Sequence, residues 1–236
     1  QFTSSAASTL AVEFAGSSAS EGARVPFSKR FVDIAVILLA SPILLPLMGL
    51  IAALIKLLSP GPVFFSQERV GHREQPFKLF KFRSMKLRAE TVSHASHTTQ
   101  LFRSDQPMTK MDEAGDPRLI PLGRVLRATG LDELPQLINV LRGEMSIVGP
   151  RPCTGYEFEV LQPWHKKRFD VLPGLTGLWQ VSGKNKTTFK QMINFDIEYA
   201  RGWSVGKDLG IMLRTFPVLF GQLSETISKK RNKVRQ

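Results

Sequence analysis

Residues 31–58 read FVDIAVILLASPILLPLMGLIAALIKLL, and this apolar segment decides the fold. No residue between Ile34 and Ile55 carries a charge. The run is as long as the roughly 20 apolar residues that a membrane helix needs. A buried helix of a soluble protein is rarely apolar over such a length. The segment therefore predicts a helix that lies in a membrane.

Prolines divide this segment into two arms. The pair Ser41-Pro42 lies near its middle, and Pro46 follows. Because proline lacks an amide donor and clashes with the preceding turn, we expect a sharp bend. At 1.5 Å per residue the arms, 34–41 and 43–55, are about 12 and about 20 Å long. Neither arm alone crosses a hydrocarbon core of about 30 Å.

Positive charges flank the segment on both sides. Lys29 and Arg30 precede it, and Lys56 and Arg69 follow it. Since positive residues favour the cytoplasmic side of a membrane, the pattern predicts a re-entrant hairpin over residues 28–59 that enters and leaves by the cytoplasmic face. A kinked helix that spans the membrane is the alternative, because membrane helices tolerate proline.

The chain as a whole is strongly basic. It contains 32 Lys plus Arg against 20 Asp plus Glu, which gives a net charge of +12. Such a surface attracts phosphate groups, whether in nucleic acid, anionic lipid, a nucleotide or a lipid-linked phosphate. Hydrophobic residues make up 42% of the sequence, which excludes wholesale disorder. A single cysteine excludes an internal disulfide framework.

The segments around the apolar helix predict the rest of the organisation. Residues 1–27 are predicted to be a disordered tail, 60–222 a folded domain, and 223–236 a basic C-terminal tail. Two strand-like runs around Gly71 predict a β-hairpin, and Thr91–Gly115 is predicted to be a mobile polar loop. Helical patterns follow at 121–129, 133–142, 155–170, 187–201 and 207–222.

The predicted fold class is α+β, mostly α. It combines a re-entrant (monotopic) membrane helix hairpin, amphipathic helices at the membrane interface and a small cytoplasmic domain with a β-hairpin. In the last helix, Phe216, Leu219 and Phe220 are candidates for lipid contact.

Two adjacent carboxylates carry the strongest chemical signal. They lie in DPRLIPLGRVLRATGLDELPQLINVLRGEMSIVGPRP, residues 116–152, where Asp132 and Glu133 begin a short helix. One interpretation is structural, because Asp is a favoured N-cap and Glu in a first turn complements the helix dipole. The other is functional: one carboxylate attacks a phosphate or binds a metal, and the other orients the group or takes a proton.

Arginines in the same stretch suit a phosphate ligand. Arg124 and Arg127 share one face of the preceding helix by their spacing, and Arg151 follows the Gly149-Pro150 turn. The planar guanidinium offers paired donors that match phosphate oxygens.

These motifs, taken in order, resemble the bacterial sugar transferases that start glycan assembly on a polyprenyl phosphate, the monotopic phosphoglycosyl transferases. The similarity extends over about residues 28–222 and is greatest to the short exopolysaccharide-initiating members that transfer galactose or glucose 1-phosphate. The matching pieces are KRFVDI at 29–34, Ser41-Pro42, GPVFFSQERVG at 61–71, FKLFKFRSM at 77–85, DPRLIPLGRVLR at 116–127, LDELPQLINVLRGEMSIVGPRP at 131–152, RFDVLPGLTGLWQVSGKN at 168–185 and DIEYARGWSVGKDL at 196–209.

The resemblance implies a reaction and roles for particular residues. Members of the family transfer a phosphosugar from a UDP-sugar to undecaprenyl phosphate, with Mg²⁺ and through a covalent intermediate. It implies that Asp132 is the nucleophile that attacks the β-phosphate and expels UMP, and that Glu133 assists it in metal and proton handling. Both carboxylates are then candidate metal ligands. The candidate substrate-binding residues are Arg127, Arg151, Arg124, Lys81, Arg83 and Pro150.

The resemblance also implies a cellular setting. Ser41 and Pro42 match the break of the re-entrant helix, and Lys29 and Asp33 match the motif at its start. The expected location is the cytoplasmic face of the bacterial inner membrane, in contact with anionic phospholipid, and a homodimer in the membrane plane is compatible with the sequence. Lys184 departs from the family pattern, which usually has Arg at this position.

Two other classes of function compete with this interpretation. The charge of +12 suits a membrane-tethered nucleic-acid binder, but the sequence contains no groove-reading motif or stacking platform, so no nucleic-acid partner is expected. A catalytically silent membrane scaffold is the other class. The intact Asp132-Glu133 pair and its arginines argue against it.

Overall fold

A computed structural model of the chain describes residues 25–86, 106–107, 118–183 and 186–234, with side chains described as far as residue 221. Residues 1–24 of the predicted tail, most of the 91–115 loop and Lys184 lie outside these ranges. The predictions made for them therefore stay predictions.

The apolar segment forms one long helix, α1, Phe27–Leu58. Among the described residues it is the one helix long and apolar enough to cross a membrane, judged by length and composition. Pro42 and Pro46 lie inside it. The amide that Pro42 lacks would have bonded to the carbonyl oxygen of Leu38, and the Ser41 hydroxyl donates to that oxygen instead, at 2.8 Å. The helix is thus confirmed, whereas the predicted hairpin stays a prediction.

Both ends of α1 pack against the rest of the protein. Asp33 and Ile37 are buried near its start, and Ile51 and Ile55 are buried near its end. Several large apolar residues between these contacts are exposed, and Leu39 reaches 82% exposure. The helix therefore presents an apolar middle to its surroundings and fixes its two ends on the same body.

The predicted β-hairpin is confirmed. Strands β1, Phe64–Val70, and β2, Pro76–Phe82, are antiparallel, and Phe64 lies opposite Phe82 in the register. After the second strand, the buried guanidinium of Arg83 donates to the carbonyl oxygens of Ser59, at 2.7 Å, and Pro60. This contact ties the hairpin to the end of α1.

The predicted helical patterns are found with adjusted bounds. Glycines in the left-handed region end two of them: Gly130, at φ 72°, and Gly143, at φ 81°. The 155–170 pattern is divided into an α-helix and a 3₁₀ segment. The described elements are α2 Gly123–Thr129, a 3₁₀ turn Leu131–Glu133, α3 Gln136–Arg142, α4 Gly155–Glu159, a 3₁₀ segment Pro163–Asp170, α5 Leu178–Val181, α6 Phe189–Arg201 and α7 Val205–Val234.

A short parallel strand pair was not predicted from the sequence. Strands β3, Ser146–Val148, and β4, Gly174–Thr176, pair through Ser146 with Gly174 and Val148 with Thr176. The backbone that follows β3 meets the backbone that precedes β4 closely. A Cβ at Gly149 would collide with the carbonyl oxygen of Leu172. Glycine at 149 therefore permits the approach that places the following Pro150-Arg151.

The last helix, α7, presents an exposed apolar stripe. Leu209, Leu213, Phe216 and Phe220 recur at helical spacing and are all exposed, while Ile211 is buried against the domain. An exposed row of large apolar side chains on a helix that is docked by its other side is typical of an interfacial helix. Two of the predicted lipid contacts, Phe216 and Phe220, lie on this stripe. The helix also runs past the predicted limit at 222 to Val234, because its sequence contains no glycine or proline after Gly221.

Candidate active site

Asp132 and Glu133 lie on the 3₁₀ turn Leu131–Glu133, which we call the carboxylate turn. Gly130 is the C-cap of helix α2 and also the N-cap of the turn. The N-cap of helix α3 is Pro135. Neither carboxylate therefore occupies the N-cap position that the structural interpretation assigned to Asp132.

The two carboxylates differ in their surroundings. Asp132 is buried, with 7% of its surface exposed, whereas the side chain of Glu133 is 37% exposed. Lys81 on β2 forms an ion pair with Glu133 at 3.0 Å between Nζ and Oε1. The structure thus brings Lys81, a predicted site residue, to the carboxylate turn.

Helix α3 is held firmly against the hairpin and α1. The Asn139 amide donates to the Lys78 carbonyl at 2.7 Å, and its oxygen accepts from the Phe80 amide at 3.1 Å. At the other end of α3, Arg30 donates to the carbonyl oxygens of Val140, at 2.7 Å, and Leu141, at 3.3 Å. These contacts fix the helix that follows the carboxylate turn.

The two arginines of α2 precede the carboxylate turn. Arg127 lies in the last turn of the helix and is half-buried. Arg124 lies one turn earlier and is exposed. Both side chains share a face by their i, i+3 spacing, as predicted.

Arg151 is held by a buried carboxylate. Its Nη1 donates to both oxygens of Glu157, at 2.9 and 3.1 Å, and the Thr154 amide donates to the same carboxylate at 2.7 Å. Burial alone would raise the pKa of Glu157, but Arg151 and Arg69 outweigh it and lower that pKa to about 2. Glu157 therefore stays ionised and orients the Arg151 guanidinium, whose side chain is 27% exposed.

A second buried ion pair supports this one and was missed by the sequence analysis. Arg168 pairs with Asp196, and its Nη2 donates to the Arg151 carbonyl at 2.8 Å. Burial raises the pKa of Asp196 to about 6, although Arg168 opposes the shift. The only local signal was an arginine within RFDVLPG, and nothing in the sequence shows which carboxylate it meets.

Two other predicted site residues have structural partners. Arg83 is buried against the end of α1, and Pro150 is buried with its carbonyl oxygen accepting from the Gly174 amide at 2.8 Å. Their substrate contacts stay predictions.

One face of the β-hairpin carries side chains that reach the carboxylate turn at one end and the Pro152 carbonyl, next to Arg151, at the other. In the register Phe65 lies opposite Lys81, Gln67 opposite Leu79, and Arg69 opposite Phe77. Residues opposite each other leave a sheet on the same side. At one end of this face Lys81 meets Glu133; at the other, Arg69 donates to the Pro152 carbonyl at 3.3 Å.

The donor set suits a magnesium ion. Mg²⁺ is usually bound by one or two carboxylates together with substrate phosphates and water. Asp132 and Glu133 supply two carboxylates on one turn. Within the described ranges no group of three or more His, Cys, Asp or Glu residues is arranged to hold a metal on its own. The residues present therefore fit a metal that arrives with a phosphate ligand.

Comparisons with known proteins show the family of the chain. The sequence model of a family described as bacterial sugar transferase matches residues 24–222. The exopolysaccharide production protein ExoY of Sinorhizobium fredii is 39% identical over 192 residues, which cover 81% of this chain and 85% of that protein.

Two further relatives are named for their reaction. The UDP-glucose:undecaprenyl-phosphate glucose-1-phosphate transferase of Caulobacter vibrioides is 41% identical over 203 residues, covering 83% of this chain and 70% of that protein. The undecaprenyl-phosphate galactose phosphotransferase of Salmonella typhimurium is 34% identical over 197 residues, covering 82% of this chain and 40% of that protein.

Proposed function

Because the chain belongs to the bacterial sugar transferase family, we propose that it transfers hexose 1-phosphate, galactose or glucose, from a UDP-sugar to undecaprenyl phosphate. The product starts exopolysaccharide or other glycan assembly. One observation carries the proposal: the buried Asp132 lies on the carboxylate turn, next to Glu133 and the Lys81 that pairs with Glu133. Relatives named for this reaction at 34 and 41% identity support it.

The first half of the proposed reaction forms a covalent intermediate. A carboxylate oxygen of Asp132 attacks the β-phosphorus of the UDP-sugar and forms an acyl-phosphate bond. The bond from the β-phosphorus to the oxygen that bridges the two phosphates breaks, and UMP leaves with the electron pair. A two-step route of this kind replaces one difficult displacement with two easier ones.

The second half regenerates the enzyme. A phosphate oxygen of undecaprenyl phosphate attacks the same phosphorus, and the bond to Asp132 breaks. Asp132 recovers its carboxylate, and the product is undecaprenyl diphosphate hexose. Since UMP has already left, the water-soluble donor and the lipid acceptor use the site in turn.

Cationic groups lower the repulsion between the attacking carboxylate and the phosphates. Arg127, at the end of α2, and Arg151, oriented by Glu157, are the proposed phosphate ligands. Fixed donors aimed at the place where charge develops stabilise a transition state without reorganisation. Asp132 and Glu133 would hold Mg²⁺, which when bound neutralises phosphate charge.

The helix α1 is proposed to be re-entrant, with both ends on the cytoplasmic face of the inner membrane. The burial of Asp33 near its start and Ile55 near its end against one body supports this topology. A straight helix crossing the membrane would carry one of these ends to the opposite side. The exposed apolar middle then lies in lipid, and the stripe on α7 rests on the surface.

We expect cysteines placed at positions 27 and 60 to be protected from an impermeant maleimide in intact spheroplasts. Both Phe27 and Pro60 are exposed, so accessibility depends on the side of the membrane. Cys153 is fully buried and is replaced by alanine in both variants. The same sites should react fully once the membrane is permeabilised. Labelling of either site in intact spheroplasts would contradict the re-entrant topology.

Lys81→Met is expected to slow sugar-phosphate transfer roughly tenfold or more, as loss of a group that orients an active-site ligand usually does. The Lys81 ammonium is 3.0 Å from Glu133 and holds its carboxylate in place. Lys78→Met is the matched control, because Lys78 lies on the same strand with an exposed side chain. Equal rates for the two variants would show that the Lys81–Glu133 pair does not serve the reaction.

The proposed function is tested by incubating the membrane-embedded protein with undecaprenyl phosphate, Mg²⁺ and a panel of radiolabelled UDP-sugars. We expect label in the lipid fraction for UDP-galactose or UDP-glucose and stoichiometric release of UMP. A protein that transfers no label from any donor, and binds random oligonucleotides in a salt-dependent manner, would support the nucleic-acid class instead.

A further inference from the structure

Phe65 is an exposed aromatic residue beside the carboxylate turn. Its surface is 47% exposed, and it lies opposite Lys81 in the β1–β2 register. Opposed residues have Cβ atoms about 4.5–5.5 Å apart and point to the same side. Phe65 is thus the cross-strand neighbour of the lysine whose ammonium contacts Glu133 on the carboxylate turn.

The neighbouring residue, Phe64, lies on the other face of the hairpin. Successive residues of a strand point to opposite faces. The ring of Phe64 stacks on Phe82 with centroids 5.5 Å apart, and Phe82 belongs to the apolar cluster that holds Ile51 and Ile55 of α1. Phe64 therefore packs toward α1. Phe65 lies on the opposite face of the hairpin, which also carries Lys81.

Gln67 follows Phe65 on the same face and has a fixed amide. Arg69 donates to its Oε1 at 2.8 Å. Since arginine has donors and no acceptor, the atom that faces it must be the oxygen. The Gln67 amide is thereby oriented, and its NH₂ group, which donates to no residue in the described part of the chain, can be presented to a ligand.

We propose that Phe65 stacks on the uracil ring of the nucleotide donor and that the Gln67 NH₂ group donates to the C4 carbonyl of uracil. The inference rests on the proposed function, which supplies a UDP-sugar as donor. A flat aromatic ring beside an oriented amide matches a planar base that carries carbonyl oxygens. In this arrangement Phe65 and Gln67 bind the nucleoside, and the carboxylate turn and Arg151 bind the phosphates.

The test measures binding of UMP by calorimetry, using the full chain in nanodiscs of phosphatidylethanolamine and phosphatidylglycerol. Base stacking on an aromatic side chain is worth about 1–3 kcal/mol. We expect Phe65→Leu, which keeps apolar bulk and loses the flat ring, to weaken UMP binding roughly tenfold. Phe65→Tyr should bind UMP as the unaltered protein does, and Phe64→Leu is the matched control on the opposite face.

Two comparisons make the test specific for the base. Ribose 5-phosphate, which has no base, should bind equally to the unaltered protein and to Phe65→Leu. Gln67→Leu should reduce the preference for UMP over CMP, because cytosine presents an amino donor where uracil presents a carbonyl. Unchanged UMP affinity in Phe65→Leu, or an equal loss for ribose 5-phosphate, would overturn the inference.

This outcome is separable from the fate of the proposed function. A protein that transfers sugar phosphate normally, and whose UMP affinity does not depend on Phe65, contradicts the nucleoside site alone. A protein that transfers nothing but loses UMP affinity in Phe65→Leu contradicts the proposed function alone.

Discussion

Asp132→Asn is expected to lose at least about a thousandfold in sugar-phosphate transfer, the scale of loss seen when a nucleophile is removed. The amide keeps the size of the side chain, but it cannot attack phosphorus and form an acyl-phosphate. We therefore expect the variant to release no burst of UMP before acceptor is added. The unaltered protein should release at most about one UMP per active site in that burst, and mass spectrometry after acid quench should find a hexose-phosphate adduct on Asp132.

The control for this variant is Asp170→Asn, which removes an exposed carboxylate away from the carboxylate turn. It should transfer at the normal rate and form the adduct. Thermal unfolding of Asp132→Asn should stay close to that of the unaltered protein. Transfer by Asp132→Asn at a near-normal rate, with no adduct in a rapid-quench series of the unaltered enzyme, would contradict the covalent mechanism.

Lys29→Met is expected to reduce the free energy of unfolding by about 3–5 kcal/mol, the usual cost of removing one partner of a buried ion pair. The Lys29 ammonium donates to Asp208 at 2.8 Å, to the Tyr199 hydroxyl at 2.9 Å and to the Val148 carbonyl at 3.0 Å. Burial and the nearby Asp208 raise the pKa of Tyr199, so its hydroxyl stays protonated and donates to Asp208 at 2.6 Å. Without Lys29, the Asp208 carboxylate remains buried without its cation.

Denaturant unfolding in detergent micelles measures this loss. Lys207→Met is the control, because Lys207 forms a more exposed ion pair with Glu198 at 3.5 Å, and such pairs contribute about 0–1 kcal/mol. Lys29→Met combined with Asp208→Asn should recover part of the stability, since the unpaired charge is then gone. An unfolding midpoint for Lys29→Met equal to that of the unaltered protein would show that the buried pair does not hold the start of α1.

Features with a local signal were predictable from the sequence. The apolar run 34–55 gave the helix α1, and the strand-like runs on either side of Gly71 gave the hairpin. The adjacency of Asp132 and Glu133 is a property of the sequence itself. The sequence did not show how the helix continues through Pro42. A sequence does not reveal that the Ser41 hydroxyl replaces the donor that Pro42 lacks.

Features that depend on distant partners were not predictable in this way. Lys81 and Arg83 were both candidate site residues. The structure brings Lys81 to Glu133, but β2 ends at Phe82 and Arg83 turns to the carbonyl of Ser59. The ion pair that supports Arg151 comes from separate elements, because Arg168 and Asp196 meet only in the folded chain. Likewise, Gly149 and the backbone of Leu172 come close only in the folded chain.

The pairing of Lys29 with Asp208 has a consequence for the order in which the chain is made. The two residues are 179 positions apart. At about 5–20 residues per second, the ribosome needs roughly 10–40 s to add the stretch between them. For part of that time α1 is outside the ribosome while Lys29 still lacks Asp208, and a positive charge at this end favours the cytoplasmic side of a membrane. The Lys29–Asp208 pair forms only after α7 is synthesised, so the start of α1 is made early and is locked in place late.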